Sequence, residues 1–235
     1  MTVVRWWVWF VALILLLASS FAAVSNSLFV VQKISVEGNS ILTEQEVLKA
    51  AGLSTGVNLL AVVPHVVRKR LLGLAAVKDA KVQLVFPDTV RITLEERKRL
   101  ALYNHNGAFY FIDDSGIVIE GAAKLEAGYP IVSYRGSNIP TVQLGEQPSS
   151  AVAGIRVLRA LKAVESLLSE VSCDDEYELR AFLKGGVCLE LGQADSSLEA
   201  RCQTAVELIR DLKDLSTVKK IDVRYSRPVV TGVSK

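Results

Sequence analysis

The segment ISVEGNSILTEQEVLKAAG, residues 34–52, decides the fold of the N-terminal half of the chain. Ile34 and Val36 alternate with polar residues, as the positions of a half-buried strand do. Gly38-Asn39 follows at once, and both residues tolerate a positive φ, so the strand is expected to end there. The segment therefore predicts a strand that leads through a tight turn into the next element.

The rest of this segment has the start and stop signals of a helix. Thr43 and Glu46 have the spacing of a capping box, in which each side chain accepts a hydrogen bond from the other residue's backbone N–H. Gly52 is a residue type at which helices commonly end. A second helix is predicted to begin at Pro64, because proline is tolerated in the first helical turn. Its apolar positions recur with helical spacing at Val67, Leu71 and Leu74.

Two runs of alternating apolar and polar residues follow these helices. They are Val82–Phe86 and Val90–Leu94, and they flank the turn dipeptide Pro87-Asp88. Two such runs around a turn are typical of a β-hairpin. The order is therefore β-α-α-β-β, and we predict one compact module over residues 31–103.

Upstream of this module lies a long apolar run. Trp6–Val24 contains 19 residues without a charge, which as a helix cover about 28 Å, close to the roughly 30 Å of a bilayer's hydrocarbon core. We predict a transmembrane helix over residues 6–28 behind a cytoplasmic tail, residues 1–5, with Arg5 favouring the inside. The alternative is a cleaved signal peptide, because Ala18–Ala23 is rich in small residues. Both interpretations place the rest of the chain outside the cytoplasm.

Downstream, residues 104–235 predict a second, β-rich domain with helices. Tyr177–Leu183 and Val187–Leu191 flank Gly185-Gly186 and predict a hairpin. A last strand is predicted over Val218–Tyr225. A helix is predicted over Ala151–Ser169, and a second one begins at a capping box, Ser196-Ser197-Leu198-Glu199.

Composition narrows the class of protein. The chain is 50% hydrophobic and 22% charged, enough apolar residues for a packed core. The formal net charge of +2 is too small to indicate nucleic acid as a partner. Three cysteines allow at most one disulfide and leave their redox state open, and no C-x-x-C spacing indicates a zinc or redox site. They are Cys173, Cys188 and Cys202.

Residues that could carry chemistry have simpler structural interpretations. Asp113 and Asp114 would be an acid/base or metal pair only if they faced one site, and adjacent aspartates between strands more often form turns. His65 and His105 have no cysteine or carboxylate at metal-ligand spacing. We therefore predict no catalytic residue, metal or cofactor. The basic clusters Arg68–Arg70 and Arg97–Arg99 suit a solvated face, with anionic lipid or an acidic partner as the alternative.

Several short motifs together resemble one family. They are the Val36-Glu37-Gly38-Asn39 opening, Phe86-Pro87, Glu96–Ala101, the aromatic strand and turn of Phe109–Gly116, and Ile221-Asp222-Val223-Arg224-Tyr225. In this order they resemble the FtsQ/DivIB family of bacterial cell-division proteins. The resemblance implies an α+β protein with a single N-terminal transmembrane helix, a POTRA domain over residues 31–103, and a mixed β-sheet domain with flanking helices over residues 104–235.

The same resemblance implies a function. Members of this family are non-catalytic, membrane-anchored scaffolds that bind FtsB- and FtsL-like proteins through a sheet edge, and their place is the inner membrane at the division septum. Carried onto this chain, the partner-binding residues are Val223, Arg224 and Tyr225, with Val223 also packing inward. Pro228 is expected to shorten or bulge the last strand, since proline cannot donate to a ladder. The alternatives are a POTRA-containing assembly factor or chaperone of the envelope and, less favoured, an anchored extracytoplasmic enzyme.

Overall fold

The computed structural model describes residues 2–136, 141–174, 176, 178–212 and 214–232; within the first helix it describes the side chains of residues 6–20 and 28. The chain forms two compact units, Met1–Glu96 and Arg97–Lys235. Each has its own buried apolar core. The division lies earlier than the predicted domain boundary after residue 103, because the strand containing residue 103 belongs to the second unit's sheet.

The first helix, α1, spans Thr2–Leu28. Over the part of the chain that the structure describes, no helix is both long and apolar enough to cross a membrane. The transmembrane helix predicted for residues 6–28 is therefore not confirmed.

The remaining elements of the first unit confirm the predicted β-α-α-β-β order. They are β1 (Lys33–Glu37), α2 (Glu44–Ala51), α3 (Pro64–Leu71), β2 (Val77–Val85) and β3 (Thr89–Glu96). The sheet order is β1-β3-β2, in which β1 runs parallel to β3 and β2 runs antiparallel to it. Core side chains come from both helices and from the middle of the sheet: Val47, Ala51, Val67, Leu71, Val90 and Ile92.

The turn and cap signals of residues 34–52 have the predicted geometry. Gly38 has φ 84°, and a Cβ there would lie 2.1 Å from the carbonyl oxygen of Leu94, so only glycine fits. Thr43 and Glu46 form the complete capping box, and Gly52 ends α2 in the left-handed conformation at φ 65°. These predictions are confirmed.

One carboxylate holds the loop between β1 and α2. Oε2 of Glu96 accepts hydrogen bonds from the backbone N–H groups of Ser40 and Ile41, both at 2.7 Å, and Oε1 accepts from that of Leu42 at 2.9 Å. Burial alone would raise the pKa of Glu96, but these hydrogen bonds, together with one from the Ser40 hydroxyl, lower it below its usual value. The end of β3 therefore fixes the chain after β1.

The second unit is built on a nine-stranded mixed sheet. Its strands are β4 (Ala101–His105), β5 (Ala108–Ile112), β6 (Val118–Ala122), β7 (Ile131–Tyr134), β8 (Leu168–Cys173), β9 (Glu178–Leu183), β10 (Cys188–Gln193), β11 (Val218–Asp222) and β12 (Val229–Gly232). The order is β12-β11-β10-β9-β8-β7-β4-β5-β6. Two helices, α4 (Ser149–Ala160) and α5 (Leu198–Asp211), pack against each other and against the sheet. The predicted α+β architecture with mixed sheets is confirmed.

Two helix predictions in this unit are wrong in part. The helix predicted over Ala151–Ser169 ends at Ala160, and a 3-10 turn over Lys162–Leu167 leads into β8. Leu161, Val164 and Leu168 are all buried, so the helical spacing of apolar residues continues although the backbone does not. The capping box predicted at residues 196–199 is absent from the described contacts, because the helix begins at Leu198 and its N-cap is Ser197, whose N–H and hydroxyl donate to Asp195.

The other turn predictions are confirmed. Gly185 and Gly186, at φ 98° and 89°, connect β9 to β10. Oδ1 of Asp113 accepts the backbone N–H groups of Ser115 and Ile117, so this aspartate builds the turn. Tyr177, the first residue of the predicted strand over Tyr177–Leu183, lies outside the described residues.

Glu96→Gln is expected to loosen the loop at residues 40–42. The amide keeps one acceptor oxygen but sets an NH₂ donor against backbone N–H donors, so local opening should become easier by about 1–3 kcal/mol. Hydrogen exchange measured by mass spectrometry would detect faster exchange of the Ser40–Leu42 amides. Because the folded-state pKa of Glu96 is lowered, its stabilisation is present above the ordinary glutamate pKa and is lost as pH falls through the lower value.

The neighbouring residue supplies a matched control for this measurement. Glu95 pairs with Lys78 at 3.0 Å, but its side chain is 61% exposed, and exposed pairs contribute little. Glu95→Gln should therefore leave exchange at residues 40–42 unchanged. Equal effects of the two substitutions would show that net charge, and not the Glu96 hydrogen bonds, controls the loop.

Candidate functional site

The C-terminal end of the large sheet is formed by a crossover and a hairpin. α5 carries the chain back so that β11 pairs in parallel with β10, with Leu189 opposite Ile221. The chain then reverses and β12 pairs antiparallel with β11, with Val230 opposite Ile221. β12 is the last strand of the sheet order, and all four of its residues are exposed.

Val223 lies directly after β11 and faces inward. Its side chain is buried in the core beneath the sheet, and its N–H donates to the carbonyl oxygen of Glu190 at 3.1 Å. The residue therefore extends the pairing between β10 and β11 by one hydrogen bond. Val223 therefore positions the residues that follow it, Arg224 and Tyr225.

Arg224 is held by a two-point contact with Asp222. Its Nε donates to Oδ1 at 3.0 Å and its Nη2 donates to Oδ2 at 2.7 Å. The backbone N–H of Arg224 also donates to Oδ1 of Asp222, at 3.1 Å. A two-point contact of this kind fixes the orientation of the guanidinium plane as well as its position.

The pair is only partly exposed, and its charges stabilise each other. The guanidinium of Arg224 lowers the pKa of Asp222, and the same hydrogen bonds raise the pKa of Arg224. Both groups are therefore fully charged at neutral pH. The contact locks the first turn of the chain between β11 and β12.

The pair extends into a row of charges across three strands. Glu190 of β10 stands opposite Asp222 on one side and opposite Arg180 of β9 on the other. Nε of Arg180 donates to Glu190 at 3.2 Å, and Arg224 reaches Glu178 of β9 at 3.7 Å. Charges on one face thus connect β9, β10 and the start of the last hairpin.

Tyr225 differs from its two neighbours in exposure. Its side chain is 66% exposed, and the guanidinium of Arg224 lies 5.6 Å from the ring centroid. An exposed aromatic ring next to a fixed cation is a typical binding feature, because aromatic rings and arginine concentrate interface energy. Of the three predicted site residues, the structure thus buries Val223, fixes Arg224 and exposes Tyr225.

β12, the strand that forms this edge, was not predicted from the sequence. The last strand was predicted to end at Tyr225, whereas β11 ends at Asp222 and β12 follows Pro228. The signal was present in the β-branched run Val229-Val230-Thr231. The proline stands just before β12, in agreement with the expected interruption.

Other polar clusters of the second unit are parts of its packing. His105 is buried between the rings of Tyr103 and Tyr134, and the Tyr103 hydroxyl lies 2.7 Å from that of Ser150. Arg97 pairs with Asp113 at 2.6 Å. No group of three or more histidine, cysteine, aspartate or glutamate side chains suited to a metal occurs among the residues that the structure describes.

Comparison with known protein families gives two matches that follow one another along the chain. A model described as POTRA domain, FtsQ-type, matches residues 29–97. A model described as Cell division protein FtsQ/DivIB, C-terminal, matches residues 101–224. The second match ends at Arg224, so Tyr225 and β12 lie beyond it.

Individual relatives agree with these models. The chain is 38% identical over 106 residues to cell division protein FtsQ of Bartonella bacilliformis, a match that covers 45% of this chain and 33% of that protein. It is 34% identical over 106 residues to cell division protein DivIB of Brevibacillus brevis, covering 44% of this chain and 40% of the relative. Cell division protein FtsQ of Bradyrhizobium diazoefficiens is 27% identical over 209 residues, covering 88% and 55%. The chain therefore spans a third to just over half of these relatives.

Asp222→Asn is expected to loosen β12. Asparagine keeps the size of the side chain but removes the charge that holds Arg224, so local opening of the last hairpin should become easier by about 1–3 kcal/mol. Hydrogen exchange of peptides covering β12 measures this. The control is Glu207→Gln, which removes the same charge from an exposed position of α5. Unchanged exchange in Asp222→Asn would show that the Asp222–Arg224 contact does not hold the hairpin.

Proposed function

The chain belongs to the FtsQ/DivIB family of cell division proteins, and on this premise we propose that it is a non-catalytic scaffold of the division machinery. Its partners would be FtsB- and FtsL-like proteins. The scaffold acts by offering the outer side of β12 to an extended segment of a partner. The single observation that carries this proposal is an exposed edge strand beside Tyr225.

The physical basis is strand addition. A strand at the end of a sheet has a row of backbone N–H and C=O groups that a second chain can pair with. Backbone hydrogen bonds supply affinity that depends little on the partner's sequence. Side chains around the edge make the binding specific. Tyr225 is the exposed side chain that would contact a segment lying along β12, and Arg224, held by Asp222 and reaching Glu178, positions the chain that carries it.

Scaffolding agrees with the polar chemistry of the second unit. The charged side chains of the row contact one another: Arg180 donates to Glu190, and Arg224 donates to Asp222. A binding edge needs rigidity, whereas catalysis needs reactive groups facing a substrate. The proposed role therefore requires only shape and exposed backbone.

The proposed location is the division septum, with the chain attached to the inner membrane by its apolar N-terminal segment and the two units on the extracytoplasmic side. Trp6, Trp7 and Trp9 are exposed on α1, and indole rings favour the bilayer interface. Family membership supports the septal part of this proposal.

Tyr225→Ala is expected to leave the second unit folded and to weaken partner capture about tenfold or more, as truncation of an interface aromatic does. The measurement is affinity for the FtsB-like protein of the same organism, with circular dichroism as the test of folding. Leu144→Ala is the matched control, because Leu144 is an apolar residue of the same unit with 56% exposure. Equal binding by both variants would show that Tyr225 is not part of the partner interface.

A fluorescent protein fused to the N-terminus and expressed near native level is expected to form a band at midcell in dividing cells. The fusion must stay intact and support normal division for the result to count. A uniform envelope signal under these conditions would contradict the septal location. It would favour the alternative of an envelope assembly factor.

A further inference from the structure

The first unit has an exposed apolar patch that the proposed scaffold role does not use. The patch consists of Val57, Leu60, Val63 and Val66, all of which are exposed, with Leu60 at 50%. It follows the loop after α2 and continues onto the first turn of α3. Four large apolar side chains in ten residues are more than isolated exposed residues of a soluble surface.

The patch is a continuous surface on a rigid base. Val57, Val63 and Val66 line one open groove of about 290 Å³. Leu60 stands in the short 3-10 turn over Leu59–Ala61, and the preceding Leu59 is fully buried. The exposed side chains are therefore held outward by buried neighbours and are not part of a loose loop.

The segment that carries the patch has charged residues of one sign only. No aspartate or glutamate occurs from Ala50 to Lys78, whereas α3 contains Arg68-Lys69-Arg70. Nη1 of Arg70 donates to the carbonyl oxygen of Ala51 and lines the same groove. Lys69, the residue before Arg70, is exposed. An apolar surface with a cationic border complements an anionic bilayer, whose headgroups attract lysine and arginine while its interior accepts apolar side chains.

The segment that carries the patch is also hydrogen-bonded to the residues that directly follow α1. The N–H of Leu59 donates to the carbonyl oxygen of Phe29 at 2.6 Å, one residue after the end of α1. The N–H of Val31 donates to Val57, and Val30 forms a β-bridge with Asn58. A membrane reached by α1 would therefore lie within a few residues of the patch.

We propose that the patch of Val57, Leu60, Val63 and Val66 docks onto the surface of an anionic bilayer, with Lys69 and Arg70 contacting lipid headgroups. The proposal rests on the membrane attachment put forward above. Docking fixes the first unit at the bilayer surface, so that α1 does not serve as a free tether. The occupant is lipid because the patch combines apolar side chains, positive charge and closeness to the segment that would enter the membrane.

The test uses the full chain in vesicles, with an environment-sensitive fluorophore (NBD) attached at residue 60 in Leu60→Cys. Burial raises the pKa of both the Cys173 and Cys202 thiols to about 12, so neither reacts at pH 7. The half-buried Cys188 is replaced by serine. The control label is placed at residue 93 in Thr93→Cys, on the exposed face of the first unit's sheet.

In vesicles of phosphatidylcholine with phosphatidylglycerol, the label at residue 60 is expected to shift to the blue and to be quenched by brominated lipid, while the label at residue 93 is not. An unquenched label at residue 60 on a chain that resists alkaline extraction would overturn this inference alone. A chain that is extracted from the vesicles would contradict the proposed attachment as well. Quenching of both labels equally would also overturn the inference.

The charge requirement is tested with Lys69→Ala. Removing one basic residue near an anionic surface should lower the ratio of docked to free patch about fivefold, measured by quenching at residue 60. Lys81→Ala is the matched control, because Lys81 is exposed on β2, away from the patch. Equal loss in both variants, or no loss in Lys69→Ala, would show that anionic lipid is not the partner of this surface.

Discussion

An open β-sheet leaves a row of backbone N–H and C=O groups unpaired at each end, and this constraint organises the second unit. At one end the chain covers part of the row itself: the N–H of Val118 in β6 donates to Glu146, and its carbonyl accepts from Gly145. At the other end β12 has no further strand beside it among the described residues, and its side chains are exposed on both faces. The chain thus covers the first residue of β6 at one edge and leaves β12 uncovered at the other. A scaffold needs such an asymmetry, because two open edges would recruit chains without selection.

Both units use a carboxylate to fix the chain next to a strand end. Glu96 gathers three backbone N–H groups that follow β1, and Asp222 gathers the guanidinium and N–H of Arg224 after β11. In each case these hydrogen bonds lower the pKa of the carboxyl group, because they favour its charged form. Local order at both loops is therefore an electrostatic property. Apolar packing stabilises the sheets, and the two carboxylates fix the segments that follow β1 and β11.

The turns and helix caps that depend on nearby residues could be predicted from the sequence. The Thr43 capping box and the Gly185-Gly186 hairpin depend on neighbours in the chain, so the signal is local and is read without knowing the fold. β12 was not predicted, because a strand of four residues after a proline is too short to show alternation, and only the β propensity of Val229-Val230-Thr231 indicated it. The helix prediction also failed at residues 162–167, where a 3-10 turn preserves the burial of apolar residues that a helix would give. The inward position of Val223 was predictable from alternation, whereas the row of charges from Arg180 to Asp222 depends on the pairing of three strands.

The order of strands in half of the large sheet follows the order of synthesis. Along the sheet from β8 to β12, every strand is translated after the neighbour that it pairs with. The crossover through α5 adds the delay of a whole helix before β11 can join β10. The edge proposed for the partner therefore comes into existence only after the rest of this half-sheet has been made. Until then β10 or β11 is the outermost strand, so the surface that β12 forms is absent from the unfinished sheet.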